Sequence, residues 1–227
     1  MDRKKFLKKG LVGMGTIVAI PTLLASCSSD DDGNNDNNPN ACETSPAETA
    51  GPFPIMTPVD LVRENIIGDR SGIPLLIQFT IKNTNSNCTS LQGALVDIWH
   101  CDAKGNYSEY SGQLDGDFTN ADFLRGRQTT DINGNASFIS IYPGWYPGRT
   151  SHLHVEIKSS TGSSLLITQV SFPENISSTV YTTTQYNGNA DTNNSNDGIV
   201  GVGNLADEVT GNNTEGYTLK KVIKVSA

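Results

Sequence analysis

The chain has 227 residues and a mass of 24.3 kDa, with 16 Lys+Arg against 24 Asp+Glu, a formal charge of -8 and a pI near 4.8. That balance excludes a nucleic-acid partner held by a dense Lys/Arg surface. A hydrophobic content of 36%, with 7% aromatics, 22 Gly and 10 Pro, argues against a large helical core and for a turn-rich, all-β chain.

Residues 1–26 read as a lipoprotein signal peptide. Arg3, Lys4, Lys5, Lys8 and Lys9 form a basic start, and the apolar run at 11–20 is too short to cross a bilayer. The end Leu24-Ala25-Ser26-Cys27 resembles a bacterial lipobox, which makes Cys27 the lipidated, membrane-anchored N-terminus of an exported protein. Arg3-Lys4-Lys5-Phe6-Leu7-Lys8 resembles a degenerate twin-arginine motif with Lys4 at its second arginine, so the export route stays open. Beyond residue 26, 11 basic and 23 acidic residues leave a charge of -12. Residues 27–43, rich in Asp and Asn, contain no large apolar side chain and predict a flexible tether. Its acids fit either a surface-export signal or a soluble spacer, so the body faces the periplasm or the cell surface.

From 44 to 227, short apolar or alternating runs punctuated by turn residues predict a β-sandwich domain. Runs at 74–81 and 93–99 each predict a strand. The runs 128–131 and 136–141 flank Asn133-Gly134 and predict a β-hairpin, as do 152–157 and 165–170 around Thr161-Gly162. Residues 181–215, rich in Asn, Thr, Gly and Asp, predict a long loop with at most a short helix near 199–209. The run 217–225 predicts a last strand with Tyr217, Leu219, Ile223 and Val225 on one face. Of the remaining cysteines, Cys88 and Cys101 stand at opposite ends of a predicted strand, too far apart to bridge. Cys42–Cys88 and Cys42–Cys101 both remain open.

The chain has three histidines, His100, His152 and His154. On a strand, His152 and His154 point to the same side and suit a metal, although the pair alone fits two solvated surface residues as well. His100 reads as a packing or hydrogen-bonding residue, and Trp99 as core. Upstream of the pair, Pro143-Gly144-Trp145-Tyr146-Pro147-Gly148-Arg149-Thr150 predicts a rigid turn presenting Tyr146 and Arg149. Gly105-Asn106-Tyr107 presents a second tyrosine after a strand end. A phenol is normally neutral, with a pKa of about 10, but a hard trivalent cation deprotonates and binds it.

The segments Thr49-Ala50-Gly51-Pro52-Phe53, Gly93 through Tyr107, Phe123-Leu124-Arg125-Gly126-Arg127-Gln128 and Pro143 through His154 resemble the intradiol ring-cleavage dioxygenases, which include catechol and protocatechuate dioxygenases. The resemblance runs in order from about Thr49 to Val225. It implies a β-sandwich that holds a non-haem Fe(III) through Tyr107, Tyr146, His152 and His154. Tyr107 matches the phenolate that stays bound and Tyr146 the one that leaves when a catecholate binds. Arg149 matches an arginine beside the substrate, and Gln169 a glutamine behind the metal. The implied reaction opens a catecholic ring with O₂ between its two hydroxyl-bearing carbons, giving a muconate-type diacid. Tyr146 and His152 are six residues apart, a compact spacing that resembles the exported, single-chain members and implies an open pocket. The resemblance leaves the catechol and the oligomeric state open. The rival readings are a non-catalytic β-sandwich that binds catechol-like or polysaccharide ligands and a structural surface lipoprotein. Loss of a metal ligand is expected of a binding module, whereas all four matched residues and Arg149 are present.

Overall fold

Alternation of side chains builds the first strand. In β1 (Pro74–Asn83), Leu75, Ile77, Phe79 and Ile81 are buried while Gln78, Thr80 and Lys82 lie half-exposed between them. These positions belong to a computed structural model that describes residues 42–227. The predicted signal peptide, Cys27 and the tether as far as residue 41 lie outside the described residues.

Two sheets follow from that pattern. On one edge of β1 lie the two-residue β2 (Thr89–Ser90) and β5 (Asn135–Ile141), both antiparallel to it. On its other edge β9 (Gly216–Val225) runs parallel, followed by β8 (Glu208–Asn212). The second sheet is antiparallel in the order β4 (Arg125–Thr129), β3 (Leu95–Trp99), β6 (His152–Lys158) and β7 (Ser164–Ser171). Val96, Ile98, Leu153, Val155 and Ile157 from this sheet pack with Leu75, Ile77, Phe79, Phe138, Leu219 and Ile223 from the other. The result is the predicted all-β sandwich, with a single short helix, α1 (Glu174–Val180), among the described residues.

Two local expectations are corrected. The turn at Asn133-Gly134 forms, with Gly134 N–H donating to Asp131 O and Asp131 N–H to Asn135 O, but β4 and β5 do not make a hairpin. They diverge into opposite sheets, because Gly134 O accepts from Ile81 N–H of β1 and draws β5 onto β1. The turn residues specify a reversal, and sheet membership is settled by which side chains can be buried. In keeping with the expectation of at most a short helix near 199–209, a single 3-10 turn, Val202–Asn204, leads there into β8, and the α-helix α1 lies earlier in the chain. The predicted loop therefore ends at a strand held by pairing with β9, a long-range contact that its polar composition does not announce.

Cys42 is joined to Cys88, with Cα atoms 5.6 Å apart, which resolves the two open pairings, and Cys101 is a buried free thiol. The cross-link ties the entering chain to the loop after β1. Replacing both Cys42 and Cys88 by alanine is expected to lower the unfolding free energy by about 2–4 kcal/mol, read by urea titration. In the same titration Cys101 should react with a thiol reagent only as the protein unfolds, and early reaction would contradict its burial.

Candidate metal centre

Strand register decides which side chains meet. The pairs Trp99↔Arg125, Trp99↔His154 and His154↔Gln169 set Arg125, Trp99, His154 and Gln169 in one row across β4, β3, β6 and β7. That row points away from Leu153 and Val155, which enter the core, and His152 shares its face two residues earlier. It is the outer face of the sheet, yet all five of these side chains are buried. Loops cover them: Ala50, Phe53, Ile55 and Tyr146 pack on Trp99, Cys101 and Tyr107 to form a small second cluster.

Each loop is pinned by backbone chemistry. Gly144 N–H donates to Asp102 O at 3.0 Å, which locks the turn carrying Tyr146 against the turn carrying Tyr107. Gly105 sits at φ +92°, and a Cβ there would lie 2.5 Å from Trp145 O, so only glycine permits this approach. Fully buried Arg125 donates to Phe53 O, Ser108 O and Ser108 Oγ and pairs with Glu109 at 3.2 Å, which fastens the 53 and 108 segments to β4.

His152 Nδ1 lies 2.7 Å from Thr150 O. A carbonyl can only accept, so Nδ1 carries the proton and Nε2 presents its lone pair. That Nε2 is 3.1 Å from the Tyr146 hydroxyl and 3.2 Å from His154 Nε2. The His154 ring stacks on Trp99 with centroids 5.2 Å apart and planes 2° apart. The Tyr107 ring lies 5.8 Å from that of Tyr146 and 6.1 Å from that of His154. Burial lowers the His152 pKa to about 4 and holds His154 well below the usual imidazole value. Burial likewise pushes the Tyr107 phenol well up and Tyr146 up. The two imidazoles are thus neutral and chemically able to ligate a metal, and the two phenols stay protonated unless a cation ionises them.

The donor set fits a hard, high-valent metal. The Tyr107 hydroxyl is buried with no hydrogen-bond partner among the described residues, which is costly for a phenol oxygen unless a ligand meets it. Among the described residues no group of three or more His, Cys, Asp or Glu side chains could hold a metal ion, so a metal bound by the histidine pair would need ligands of another kind, and the two phenols are the nearest such groups. His100 is satisfied internally, with Nδ1 at 2.8 Å from Cys101 O and Nε2 at 2.7 Å from Ser140 Oγ, in keeping with its reading as a packing residue. Trp99 is buried as expected, but at this site and not in the main core.

Arg149 borders the same place. Its Nε donates to Asp197 Oδ2 at 2.8 Å, one terminal nitrogen to Gln169 Oε1 at 2.6 Å, and the other lies 3.5 Å from the Tyr146 hydroxyl. Gln169 Nε2 donates to Thr49 O at 2.9 Å. Burial opposes ionisation of Asp197, but hydrogen bonds from Arg149 and from the Thr150, Ile199 and Val200 amides outweigh it and hold the pKa low. The structure therefore brings together Tyr107, Tyr146, Arg149, His152, His154 and Gln169. Sequence reading missed Asp197, which sits among look-alike Asn and Asp residues of the 181–215 loop. It also gave Arg125 no role.

The family model described as "Dioxygenase" matches residues 52–198. The chain is 32% identical over 94 residues to the protocatechuate 3,4-dioxygenase beta chain of Burkholderia cepacia, covering 37% of this chain and 38% of that one. It is 30% identical over 149 residues to the chlorocatechol 1,2-dioxygenase of Rhodococcus opacus, covering 54% of each. The chain thus spans about half or less of the length of these curated relatives. Among solved structures, an intradiol ring-cleavage dioxygenase from Tetranychus urticae superposes with a TM-score of 0.72 at 28% identity, covering 82% of this chain and 95% of that one.

Gly51, at φ +71°, abuts the site: a Cβ there would lie 2.8 Å from His154 Cε1. Gly148, at φ +81°, has nothing within 4 Å of such a Cβ. In the metal-free protein Gly148→Ala is expected to cost about 1–2 kcal/mol, the left-handed backbone penalty alone. Gly51→Ala adds the displacement of His154 to that penalty and is expected to cost about 1 kcal/mol more by urea denaturation. Equal costs would show that the ring moves freely.

Proposed function

We propose that this chain, which belongs to the intradiol ring-cleavage dioxygenase family, opens a catecholic ring between its two hydroxyl-bearing carbons with O₂ to give a muconate-type diacid. The observation that carries this reading is the meeting of two neutral imidazoles with one buried and one partly buried phenol, with His152 Nε2 within 3.2 Å of both the Tyr146 hydroxyl and His154 Nε2. Tyr107, Tyr146, His152 and His154 would hold non-haem Fe(III), which when bound supplies the Lewis acidity and electron-accepting capacity that make a catecholate reactive toward O₂.

The chain's own residues do the rest. Tyr107, the more buried phenol, is fixed from behind by the loop that Arg125 holds. Tyr146, only partly buried, would be ionised by the bound cation and is then placed to take one of the two catechol protons at its phenolate oxygen. The Arg149 nitrogen nearest that oxygen offers a fixed positive charge to negative charge developing on the substrate, and Gln169 holds the guanidinium to the sheet. Phe53 and Ile55 supply an apolar wall that suits an aromatic ring and keeps water out. With the leader and Cys27 read from the sequence, the enzyme works as an exported lipoprotein.

Iron-loaded protein is expected to be burgundy to red from phenolate-to-Fe(III) charge transfer, and a colourless protein with iron bound would overturn the ligand set. Tyr107→Phe and His154→Ala are expected to lose both iron and activity. Arg149→Ala should keep the colour while kcat falls about 100-fold, the usual effect of removing one preorganised donor. Oxygen uptake across simple catechol, protocatechuate and hydroxyquinol, with product analysis, tests the reaction. Diacids support cleavage between the hydroxyl-bearing carbons, whereas semialdehydes, or no uptake by the coloured protein, refute it.

A further inference from the structure

The polar stretch 191–197, which sequence reading left as loop, straps the turn that carries Arg149. Asp191 Oδ1 accepts from Gly148 N–H at 3.1 Å, and Thr150 Oγ1 lies 2.8 Å from Asn194 Oδ1. Asp197 Oδ2 accepts from both Arg149 Nε at 2.8 Å and Thr150 N–H at 2.9 Å. Its other oxygen accepts from Ile199 N–H at 2.9 Å and Val200 N–H at 3.1 Å. Three consecutive residues of the turn are thus held by three residues of the strap spaced three apart, and the Asp197 carboxylate receives four donors while its side chain has no exposure.

An arginine side chain has several rotatable bonds, and its charge is useful at a reacting centre only if the guanidinium plane is fixed. One anchor leaves that plane free to swing. Arg149 has two, on different parts of the fold: Asp197 in the strap at Nε, and Gln169 on β7 at a terminal nitrogen. Gln169 is itself tied to Thr49 O at 2.9 Å. What remains is the second terminal nitrogen, which faces the Tyr146 oxygen at 3.5 Å. We propose that Asp197 is a positioning residue that aims Arg149 at the Tyr146 oxygen and the substrate beside it. Asparagine cannot do this work at the same size, because its amide N–H groups would confront N–H donors on one oxygen position or the other.

The catalytic part of this inference rests on the ring-cleavage reading above, so the test has one arm that needs neither iron nor turnover. In metal-free protein, the Arg149 Nε–H resonance, assigned by its loss in Arg149→Lys, is expected to be sharp and slow to exchange, and to broaden and exchange at least about tenfold faster in Asp197→Asn, as for a freed surface arginine. The second arm is a cycle in the iron-loaded enzyme with catechol. Asp197→Asn is expected to lower kcat about 10–100-fold with little change in KM, and the double variant Asp197→Asn/Arg149→Ala should be no slower than Arg149→Ala within about twofold. Asp197→Glu should recover part of the loss. If Asp197→Asn does not fold, Asp197→Ser, whose hydroxyl still accepts from the backbone amides, replaces it in both arms. An unchanged Arg149 resonance, or kcat losses that multiply in the double variant, overturns the proposal. A wild-type protein that binds iron but opens no catechol refutes the ring-cleavage reading alone, and the resonance then still decides whether Asp197 orients Arg149.

Discussion

The pairing of β6 with its two neighbours is the constraint on which the rest of the site depends. Trp99 opposite His154, and His154 opposite Gln169, put the stacking partner, the candidate ligand and the anchor of Arg149 in one line across the sheet. A slip of one residue would send His152 and His154 into the core and turn Leu153 and Val155 outward. The core therefore enforces the site's register: Leu153, Val155 and Ile157 are fully buried against the other sheet, so the histidines have only one face left to occupy. The next row on that face is polar too. Asp97 there is paired with Arg127 and Lys158, so its buried charge is compensated across β4, β3 and β6.

Burial of that outer face gives the site its chemistry. A sheet face of this kind would ordinarily meet water, and two histidines on it would titrate near neutrality. Here the 49–57, 105–110 and 143–150 segments roof it over, fastened by Arg125 and by contacts that tolerate only glycine. Removal of water disfavours charge on the imidazoles and phenols beneath, which keeps the imidazoles neutral and the phenols protonated. Permanent charge enters by Arg149, whose own counter-ion is the loop carboxylate Asp197. The site is thus organised as neutral donors beside two guanidiniums that each have a carboxylate partner, Arg149 with Asp197 and Arg125 with Glu109.

The sandwich strands were legible because each carries a side-chain alternation or an apolar run bounded by turn residues. β1, β6, β7 and β9 sit within one or two residues of the runs that predict them. The hairpin at Thr161-Gly162 forms, since β6 and β7 pair directly across it. The reversal at Asn133-Gly134 looks the same in sequence and joins two different sheets, because a turn motif encodes local geometry and not the partner that each arm finds afterwards. β8 and α1 escaped for a related reason. Their stability comes from pairing or packing with distant elements, and intrinsic propensity in such short polar stretches is weak.

By itself the sequence determined the residue types of the candidate site and much of their relative placement. His152 and His154 must share a face because strand side chains alternate, and the turn-rich segments around Tyr107 and Tyr146 must present those rings near strand ends. It also restricted disulfide pairing to two possibilities through the reach of an extended strand. Only the tertiary structure decided that Cys42 takes Cys88, that Trp99 stacks on His154 and that Arg125 fastens the roof. The same holds for Asp197, brought to Arg149 from 48 residues away. Such contacts depend on where separate loops come to rest over a finished sheet. No local pattern encodes that arrangement, since it follows from burying both sheets' apolar faces at once.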